Sequence, residues 1–295
     1  MSQVSSLDHA FLVDHPLPEI EISAGKDERG TVLIVGASRQ VPGAILLAAE
    51  AALRAGAGKL QIATVASIAL HLALAVPEAR VIPLTETADG EIDPSCASCL
   101  VAEVAQADAI LIGPGMSDKD GARALALELL DMEGAAKFVF DAAALTGLRE
   151  ELAVLQACGR EFALTPHPGE MATFLGIHKD AVIENPLEAG CRAATAVGGI
   201  VAMKGPSTFV CASDGDSWKC EGGGIGMATS GSGDVLAGLI AGFAARGAPV
   251  LLAVQWGVFV HAEAGRRLAG KRGELGYLAR ELADEVPRIV DGLRR

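Results

Sequence analysis

Short apolar runs alternate with longer helical patterns through most of this chain. The apolar runs lie at Thr31–Ser38, Lys59–Val65, Ala79–Leu84, Ala107–Gly115, Lys137–Leu145, Glu161–Glu170 and Gly199–Ser213. The sequence predicts helices at Pro42–Gly56, Pro94–Gln106, Lys119–Met132, Leu187–Val197, Asp234–Arg246, Pro249–Ala269 and Tyr277–Val290. This alternation predicts an α/β fold in which helices cover both faces of a largely parallel sheet.

The start of the chain breaks this pattern. Residues 1–29 are polar and irregular, with prolines at Pro16 and Pro18, and they indicate an N-terminal arm or an added helix. The length of 295 residues suits one large α/β domain or two small ones. Because no convincing linker, fixed-period repeat or low-complexity tract interrupts the rest, we expect residues 30–295 to form a single catalytic domain.

The most distinctive loops all follow predicted strands. Right-handed crossovers bring the carboxyl ends of parallel strands to one edge of the sheet, which is where open α/β sheets bind ligands. We therefore expect widely separated loops to converge there, namely Gly36–Ser38, Gly113–Gly115, Asp141, Thr165–Glu170 and Lys204–Thr208.

Composition and charge narrow the classes of ligand and partner. The net charge of −13 repels polyphosphate backbones, which argues against nucleic-acid binding. The chain lacks a signal-peptide pattern, and its longest apolar stretches fall short of the roughly 20 residues of a membrane span, so we expect a cytoplasmic protein that does not bind membranes. The lone Cys96–Cys99 pair, placed in a predicted helix, has no partner ligands at zinc spacing.

The segment Thr229–Asp234 reads TSGSGD and precedes a long apolar helix. Gly231 and Gly233 allow a tight turn with exposed amides, and the positive end of the helix points into that turn. This combination predicts an anion site built from the backbone of Gly231, Ser232 and Gly233. A simple helix cap at Ser232 or Asp234 is the structural alternative.

Two further loops carry candidate chemistry. His167 lies between two prolines in LTPHPGEM, on the expected ligand edge, although a lone histidine is more often structural. Lys204 ends a predicted strand in MKGPST and could approach the phosphates or ribose of a nucleotide, or be only a solvated turn lysine. No GxxxxGK[ST] loop and no GxGxxG after a strand is present, which argues against P-loop hydrolases and ordinary dinucleotide-dependent dehydrogenases.

Taken in order, these segments resemble the ADP- or ATP-dependent NAD(P)H-hydrate dehydratases of the ribokinase-like superfamily. The similar motifs, between about Gly30 and about Gly270, are GASRQVPGAILLAAEAALRAGAG, ILIGPG, FVFDAAAL, LTPHPGEM, MKGPST and GMATSGSGDVLAGLIAG. The GSGD-type turn also occurs in hydroxyethylthiazole kinases, whereas TPHPGEM points to the dehydratases.

The resemblance implies a three-layer α/β/α fold and repair of the 6S hydrate of NADH or NADPH. A phosphoryl group from ADP (or ATP) would pass to the ring hydroxyl, and phosphate would then leave. Asp234 would be the catalytic base. The nucleotide would be held by Lys204, Gly205, Pro206, Ser207, Thr208 and Gly233, and the hydrated dinucleotide by Ala44, Gly115, His167 and Asp234.

The resemblance also implies companions. Mg²⁺ would accompany the nucleotide, held through water and phosphate and not by metal-ligating side chains. The epimerase often fused to this family would be a separate chain, because about 30 residues cannot hold that domain. Relatives commonly form homo-oligomers, which predicts the same here.

The chain departs from the usual family pattern at Asp141–Leu145, Glu221–Gly224 and Gly276–Pro287. Two alternatives therefore stand beside the dehydratase. One is a kinase of a small alcohol, such as a vitamin precursor or sugar, which would use the same Asp234 and stop at the phosphate ester. The other is a catalytically weak nucleotide-binding protein.

Overall fold

The computed structural model describes residues 4–21 and 25–294. In this part of the chain, ten strands form one sheet in the order β1-β10-β9-β8-β7-β6-β5-β2-β3-β4. Their bounds are β1 (Ser5–Ser6), β2 (Thr31–Val35), β3 (Lys59–Val65), β4 (Ala79–Leu84), β5 (Ala109–Ile112), β6 (Lys137–Phe140), β7 (Phe162–Leu164), β8 (Ile200–Met203), β9 (Ser207–Cys211) and β10 (Ser217–Glu221).

The sheet is largely parallel, as the sequence predicts. All pairings from β4 through β8 are parallel, whereas β9 runs antiparallel to both β8 and β10. The segment predicted as one apolar run at Gly199–Ser213 is therefore a hairpin, which turns at residues 204–206. The strand β10 has no apolar run, and the sequence does not predict it.

Helices cover both faces of the sheet. Their bounds are α1 (His9–Asp14), α2 (Pro42–Arg54), α3 (Ala66–Ala75), α4 (Val101–Gln106), α5 (Lys119–Asp131), α6 (Ala142–Gly147), α7 (Leu152–Ala157), α8 (Pro168–Leu175), α9 (Lys179–Glu184), α10 (Pro186–Val197), α11 (Ser232–Ala245), α12 (Val250–Arg272) and α13 (Ala279–Leu293). Short 3₁₀ helices lie at Pro94–Leu100, Leu148–Glu150 and Ile225–Met227.

The two faces of the sheet bury separate apolar clusters. Successive residues of β2 alternate between them, because side chains along a strand point to opposite faces: Val32 and Ile34 join the cluster with α2, α11 and α12, whereas Leu33 and Val35 join the cluster with α5 and α10. Two helical layers around one sheet make the three-layer α/β/α fold, so the predicted fold class is confirmed.

Small residues bring α2 and α11 into close contact. A Cβ added at Gly238 would overlap the backbone of Ala48, and one added at Gly242 would lie 2.7 Å from the carbonyl oxygen of Ala52. The alanine- and glycine-rich composition thus allows the backbones to approach, and α11 is buried along nearly its whole length. The start of this helix is consequently held in a fixed position at the edge of the sheet.

The described part of the N-terminal arm belongs to the fold. Strand β1 pairs in parallel with β10, and Leu12 of α1 is fully buried in the apolar cluster that also contains residues of α12 and α13. The indole N–H of Trp256 donates to the carbonyl of His15 over 2.9 Å. The arm or helix predicted for residues 1–29 therefore includes both a strand and a helix, and the division of the chain at residue 29 stays a prediction.

The segment that carries Cys96 and Cys99 differs from the predicted helix. A 3₁₀ helix spans Pro94–Leu100 and only then does α4 begin. Both thiols are free; Cys96 is buried and Cys99 exposed. Within residues 4–21 and 25–294, no helix is long and apolar enough to cross a bilayer.

Candidate active site

The predicted loops meet at the carboxyl edge of the sheet. The amide of Lys204 donates to the carbonyl of Pro166 over 2.8 Å, which joins the loops after β8 and β7. The amide of Ala37 donates to the carbonyl of Pro114 over 2.6 Å, which joins the loops after β2 and β5. The predicted convergence of these loops is therefore observed.

The backbone is strained at two points of this edge. Among the described residues, positive φ angles outside glycine occur only at Ala37 (62°) and Ala142 (49°), which follow β2 and β6 closely. An alanine in this region loses roughly 1–2 kcal/mol relative to a right-handed conformation. Strain of this kind gathers at ligand sites, where the surrounding fold holds the backbone in place.

Helix α11 begins at this edge with the predicted glycine turn. Gly231 is its N-cap with φ of 89°, and a Cβ there would collide with the side chain of Leu47. The amide of Ser232 donates to the carbonyl of Thr229 over 3.3 Å. The amides of Gly233 and Asp234 lie in the first turn, where α-helical geometry supplies no acceptor. These two amides form the donor pair that an anion could meet.

Asp234 lies in this first turn, and its carboxyl group is mostly buried. Burial and the negative charges of Asp141 and Glu170 together raise the pKa of Asp234 to about 7, against the opposing charge of Lys204. A carboxylate with a pKa near neutrality can accept a proton at pH 7 more readily than an ordinary surface aspartate. The position predicted for the base therefore has the protonation behaviour that a base requires.

Lys204 is the positive charge among these carboxylates. Its Nζ lies 3.0 Å from Asp141 and 3.8 Å from Glu170. Burial disfavours the ammonium form, but the attraction of Asp141 and Glu170 outweighs it and raises the pKa of Lys204. A Cβ added at Gly233 would lie 3.2 Å from Nζ, so the ammonium group faces the start of α11.

Asp141 is a site residue to which the sequence assigned no role beyond its loop. It directly follows β6, is almost fully buried, and accepts hydrogen bonds from Thr165 Oγ1 (2.6 Å) and Lys204 Nζ (3.0 Å). A carboxylate at the end of an apolar strand was the available signal. Asp141 fixes the ammonium group of Lys204 and adds negative charge near Asp234.

His167 and Glu170 form a capping box at the start of α8. The Nδ1 atom of His167 accepts from the amides of Gly169 (3.0 Å) and Glu170 (3.3 Å), and Glu170 accepts from the amide of His167 (2.8 Å). Burial acts to raise the pKa of Glu170, but the bonds from His167 and the charge of Lys204 lower it overall. His167 thus caps a helix, and its predicted contact with substrate stays a prediction.

Ala44 and Gly115, both predicted to contact the substrate, lie side by side. A Cβ added at Gly115 would lie 3.1 Å from that of Ala44 and 2.5 Å from the carbonyl oxygen of Val41. Gly115 has φ of 73°, so two constraints favour glycine there. The start of α2 and the loop after β5 therefore form one wall without large side chains.

The predicted nucleotide segment leaves the site along the hairpin. Gly205 and Pro206 form its turn, and a Cβ added at Gly222 would overlap the carbonyl of Pro206. The hydroxyl of Ser207 donates to the carboxylate of Glu221 over 2.9 Å, and Thr208 of β9 lies opposite Cys220 of β10. Only Lys204 of this segment joins the carboxylate cluster; the remainder extends from it toward residues 221–224.

His261 is a second residue that sequence reasoning missed. Its Nε2 lies 2.8 Å from the carbonyl oxygen of Ser232 and 3.1 Å from its hydroxyl. Burial lowers the pKa of His261 to about 4, so the ring is neutral at pH 7. His261 lies within α12, and its contact with Ser232 depends on the packing of α11 on α12, for which no local sequence signal exists.

Comparison with known proteins identifies the family. The family model described as NAD(P)H-hydrate dehydratase matches residues 32–288. The chain belongs to this family. The prediction made from the GSGD and TPHPGEM motifs is therefore confirmed.

Individual relatives with similar sequences have names that agree with this family. A protein of Xanthomonas campestris pv. campestris named ADP-dependent (S)-NAD(P)H-hydrate dehydratase is 48% identical over 99% of this chain and 98% of its own length. A Moorella thermoacetica protein named bifunctional NAD(P)H-hydrate repair enzyme Nnr is 37% identical over 94% of this chain, which spans only 52% of that relative.

The fold agrees with a solved structure of the same family. An ADP/ATP-dependent NAD(P)H-hydrate dehydratase from Bacillus subtilis, co-crystallised with ATP and Mg²⁺, superposes with a TM-score of 0.83 at 27% identity. The match covers 99% of this chain and 100% of the other. The ribokinase-like architecture is thus shared from end to end.

Proposed function

We propose that this protein is an ADP-dependent (S)-NAD(P)H-hydrate dehydratase in which Asp234 is the catalytic base. The observation that carries the proposal is the position of Asp234: a carboxyl group with a pKa of about 7, in the first turn of α11, beside the buried ammonium group of Lys204. The name of the Xanthomonas relative supports ADP as the phosphoryl donor and the 6S hydrate as the substrate.

Asp234 accepts the proton of the ring hydroxyl as that oxygen bonds to the β-phosphorus of ADP. The bond from this phosphorus to the bridging oxygen breaks, and AMP leaves. The carbon–oxygen bond of the new ester then breaks, phosphate leaves with its electron pair, and a proton leaves the adjacent ring carbon. The ring regains its double bond, and no oxidant or reductant is consumed.

The turn Gly231–Gly233 stabilises the migrating phosphoryl group. The amides of Gly233 and Asp234 have no acceptor within the helix. Their N–H groups face the N-terminal side of α11, where the helix dipole is positive. Ser232 contributes by holding the turn: its amide bonds to Thr229, and its hydroxyl and carbonyl meet His261. Donors fixed in this way need no rearrangement when charge develops.

The remaining predicted residues divide between the two ligands. Lys204 places its ammonium group at the nucleotide phosphates, and Gly205, Pro206, Ser207 and Thr208 continue that binding surface along the hairpin with Gly233 at its other side. The hydrated dinucleotide lies against the wall formed by Ala44 and Gly115 and reaches His167.

Mg²⁺ fits this site as a companion of the nucleotide. Among the described residues, no group of three or more histidine, cysteine or acidic side chains could hold a metal ion. Asp141 and Glu170 already pair with Lys204. Phosphate oxygens and water would therefore supply most ligands, and the bound ion would neutralise charge on the phosphates.

The proposed function also bears on the partner, the cellular location and the oligomeric state of the protein. This chain spans about half the length of the bifunctional Moorella relative, which supports an epimerase as the functional partner of this activity. We propose a cytoplasmic homo-oligomer, because the substrates are soluble nucleotides and the family commonly assembles.

An absorbance assay tests the proposed function. Hydrated NADH or NADPH, Mg²⁺ and either ADP or ATP are mixed with the protein, and the reduced-nicotinamide band is followed. We expect the band to appear, and to appear faster with ADP. A stable phosphate ester in the mass spectrum would instead indicate the small-alcohol kinase, and binding of ADP without any product would indicate the nucleotide-binding protein.

A further inference from the structure

A second cavity lies at the opposite end of α11 from the candidate active site. It has a volume of about 330 Å³ and is lined by four arginines, Arg29, Arg54, Arg246 and Arg294, together with Asp291 and apolar residues. A rise of about 1.5 Å per residue makes α11, with its 14 residues, roughly 20 Å long. The cavity is therefore separate from the site around Asp234.

Arg246 is the buried base of this cavity. It is only 7% exposed, and its Nη1 donates to the carbonyl of Ala55, the C-cap of α2, over 2.6 Å. Its Nε is buried and has no hydrogen-bond partner among the described residues. A buried guanidinium that uses part of its donor fork retains capacity for an acceptor.

Most of the charged side chains around Arg246 are of its own sign, with Asp291 as the acidic residue of the lining. Within the described residues, Arg29, Arg246 and Arg294 form no ion pair with a carboxylate, whereas Arg54 pairs with Asp284 at 3.0 Å. Burial, together with the positive charges of Arg294 and Arg29, lowers the pKa of Arg246 to about 10. Like charges so placed repel each other, and a bound anion would convert that repulsion into attraction.

We propose that this arginine cavity binds a phosphate group, either inorganic phosphate or the phosphate of a small monoester. The planar guanidinium fork suits the tetrahedral oxygens of phosphate, and several forks can share its double charge. The volume lies at the lower end of the range for small-ligand sites, which fits a phosphate group with a small organic body.

The test compares phosphate binding by three proteins in isothermal titration calorimetry. They are the unchanged protein, Arg29→Ala/Arg294→Ala, and the control Arg192→Ala/Arg288→Ala, which removes the same charge from exposed positions outside the cavity. The two substituted cavity residues, Arg29 and Arg294, are more exposed than Arg246. The double variant therefore retains the buried Arg246 and the fold. Any phosphate bound at the start of α11 is common to all three proteins, and the difference isolates the cavity.

We expect the first pair of substitutions to weaken phosphate binding at the cavity about tenfold or more, and the control pair to change it little. Glycerol 3-phosphate distinguishes the two sources: tighter binding than inorganic phosphate identifies a monoester, and equal or weaker binding identifies free phosphate. Equal binding by all three proteins, or no cavity-bound phosphate in crystals grown with millimolar phosphate, would overturn the proposal.

Discussion

The two ends of α11 use charge in opposite ways. At its first turn, Asp234 lies near two other carboxylates, and the ammonium group of Lys204 sits between them. At its last turn, Arg246 lies near Arg29 and Arg294, and none of these three pairs with a carboxylate among the described residues. Like charges crowd at both ends, but ion pairs of Lys204 join the carboxylates at the first end, whereas three of the four cavity arginines form no ion pair with a described carboxylate.

Burial and crowding decide the protonation at both ends. A helix dipole favours a carboxylate at the first turn and a cation at the last by about 0.3–1 kcal/mol. The rise of the Asp234 pKa from 3.8 to about 7 corresponds to about 4 kcal/mol in the opposite direction. The first end therefore holds a carboxyl group that titrates near neutral pH, which suits the proposed base, whereas the arginine-rich end suits the proposed external anion.

The largest expected effect is a loss of turnover on substitution of Asp234, the proposed base, but not of another acidic residue in the first turn of a helix. We expect Asp234→Asn to lower turnover by about 10²–10⁴-fold, because the amide cannot accept the hydroxyl proton. The absorbance assay measures this, with Asp180→Asn as the matched control, since Asp180 occupies the first turn of α9 and is exposed. A similar loss in both variants, or none in either, would remove Asp234 from the mechanism.

Removing the ammonium group of Lys204 should leave the charges at the first turn of α11 without an ion-pair partner. We expect Lys204→Met to destabilise the fold by about 3 kcal/mol, because it leaves Asp141 buried without its cation. Urea denaturation measures the free energy of unfolding. The double variant Lys204→Met/Asp141→Asn should recover part of the loss, and additive losses would show that the two groups are not coupled.

Asp234 should also limit stability at neutral pH. Its pKa in the folded state is raised, so its favourable contribution is complete below about pH 4 and is lost as the pH rises toward 7. We expect Asp234→Asn to increase the free energy of unfolding by on the order of 2 kcal/mol at pH 8. The difference between variant and parent should shrink toward pH 4; a constant difference would contradict the raised pKa.

The smallest effect concerns the arginine end. Arg294 is exposed, so its repulsion of Arg246 is screened by salt. We expect Arg294→Gln to raise the melting temperature by about 1 °C at low ionic strength without phosphate, and by nothing measurable in concentrated salt. A lower melting temperature at low salt would mean that Arg294 has a stabilising partner.

The parallel part of the sheet was predictable because most of its strands are short, largely apolar runs. Strand β2 is buried at every position, and its neighbours β3 and β5 are buried at every position except Lys59. Strand β10 escaped prediction because it carries polar residues, with Ser217 and Cys220 buried and Glu221 exposed. The pattern of a short strand with this many polar residues differs too little from that of a loop to be recognised alone.

The candidate site was predictable where a short motif marks a loop or a helix start. The positions of Lys204 and His167 follow from loops after strands, and the Gly231–Gly233 turn follows from its glycines before a long apolar helix. The pairing of Asp141 with Lys204 joins residues 63 positions apart, and that of His261 with Ser232 joins residues 29 apart. Such contacts arise from the packing of whole elements, so the electrostatic partners that set the pKa of Asp234 could not be read from local pattern.

Strand β1 and the His15–Trp256 bond have a practical consequence for anyone who shortens or tags this polypeptide. Deleting the first fifteen residues would uncover the outer hydrogen-bonding groups of β10, and it would remove Leu12 from the apolar cluster and the acceptor of the Trp256 indole. Exposed sheet edges of this kind pair with the edges of other molecules and cause aggregation. Expression of such a truncated product should therefore yield insoluble material, however intact its catalytic groups.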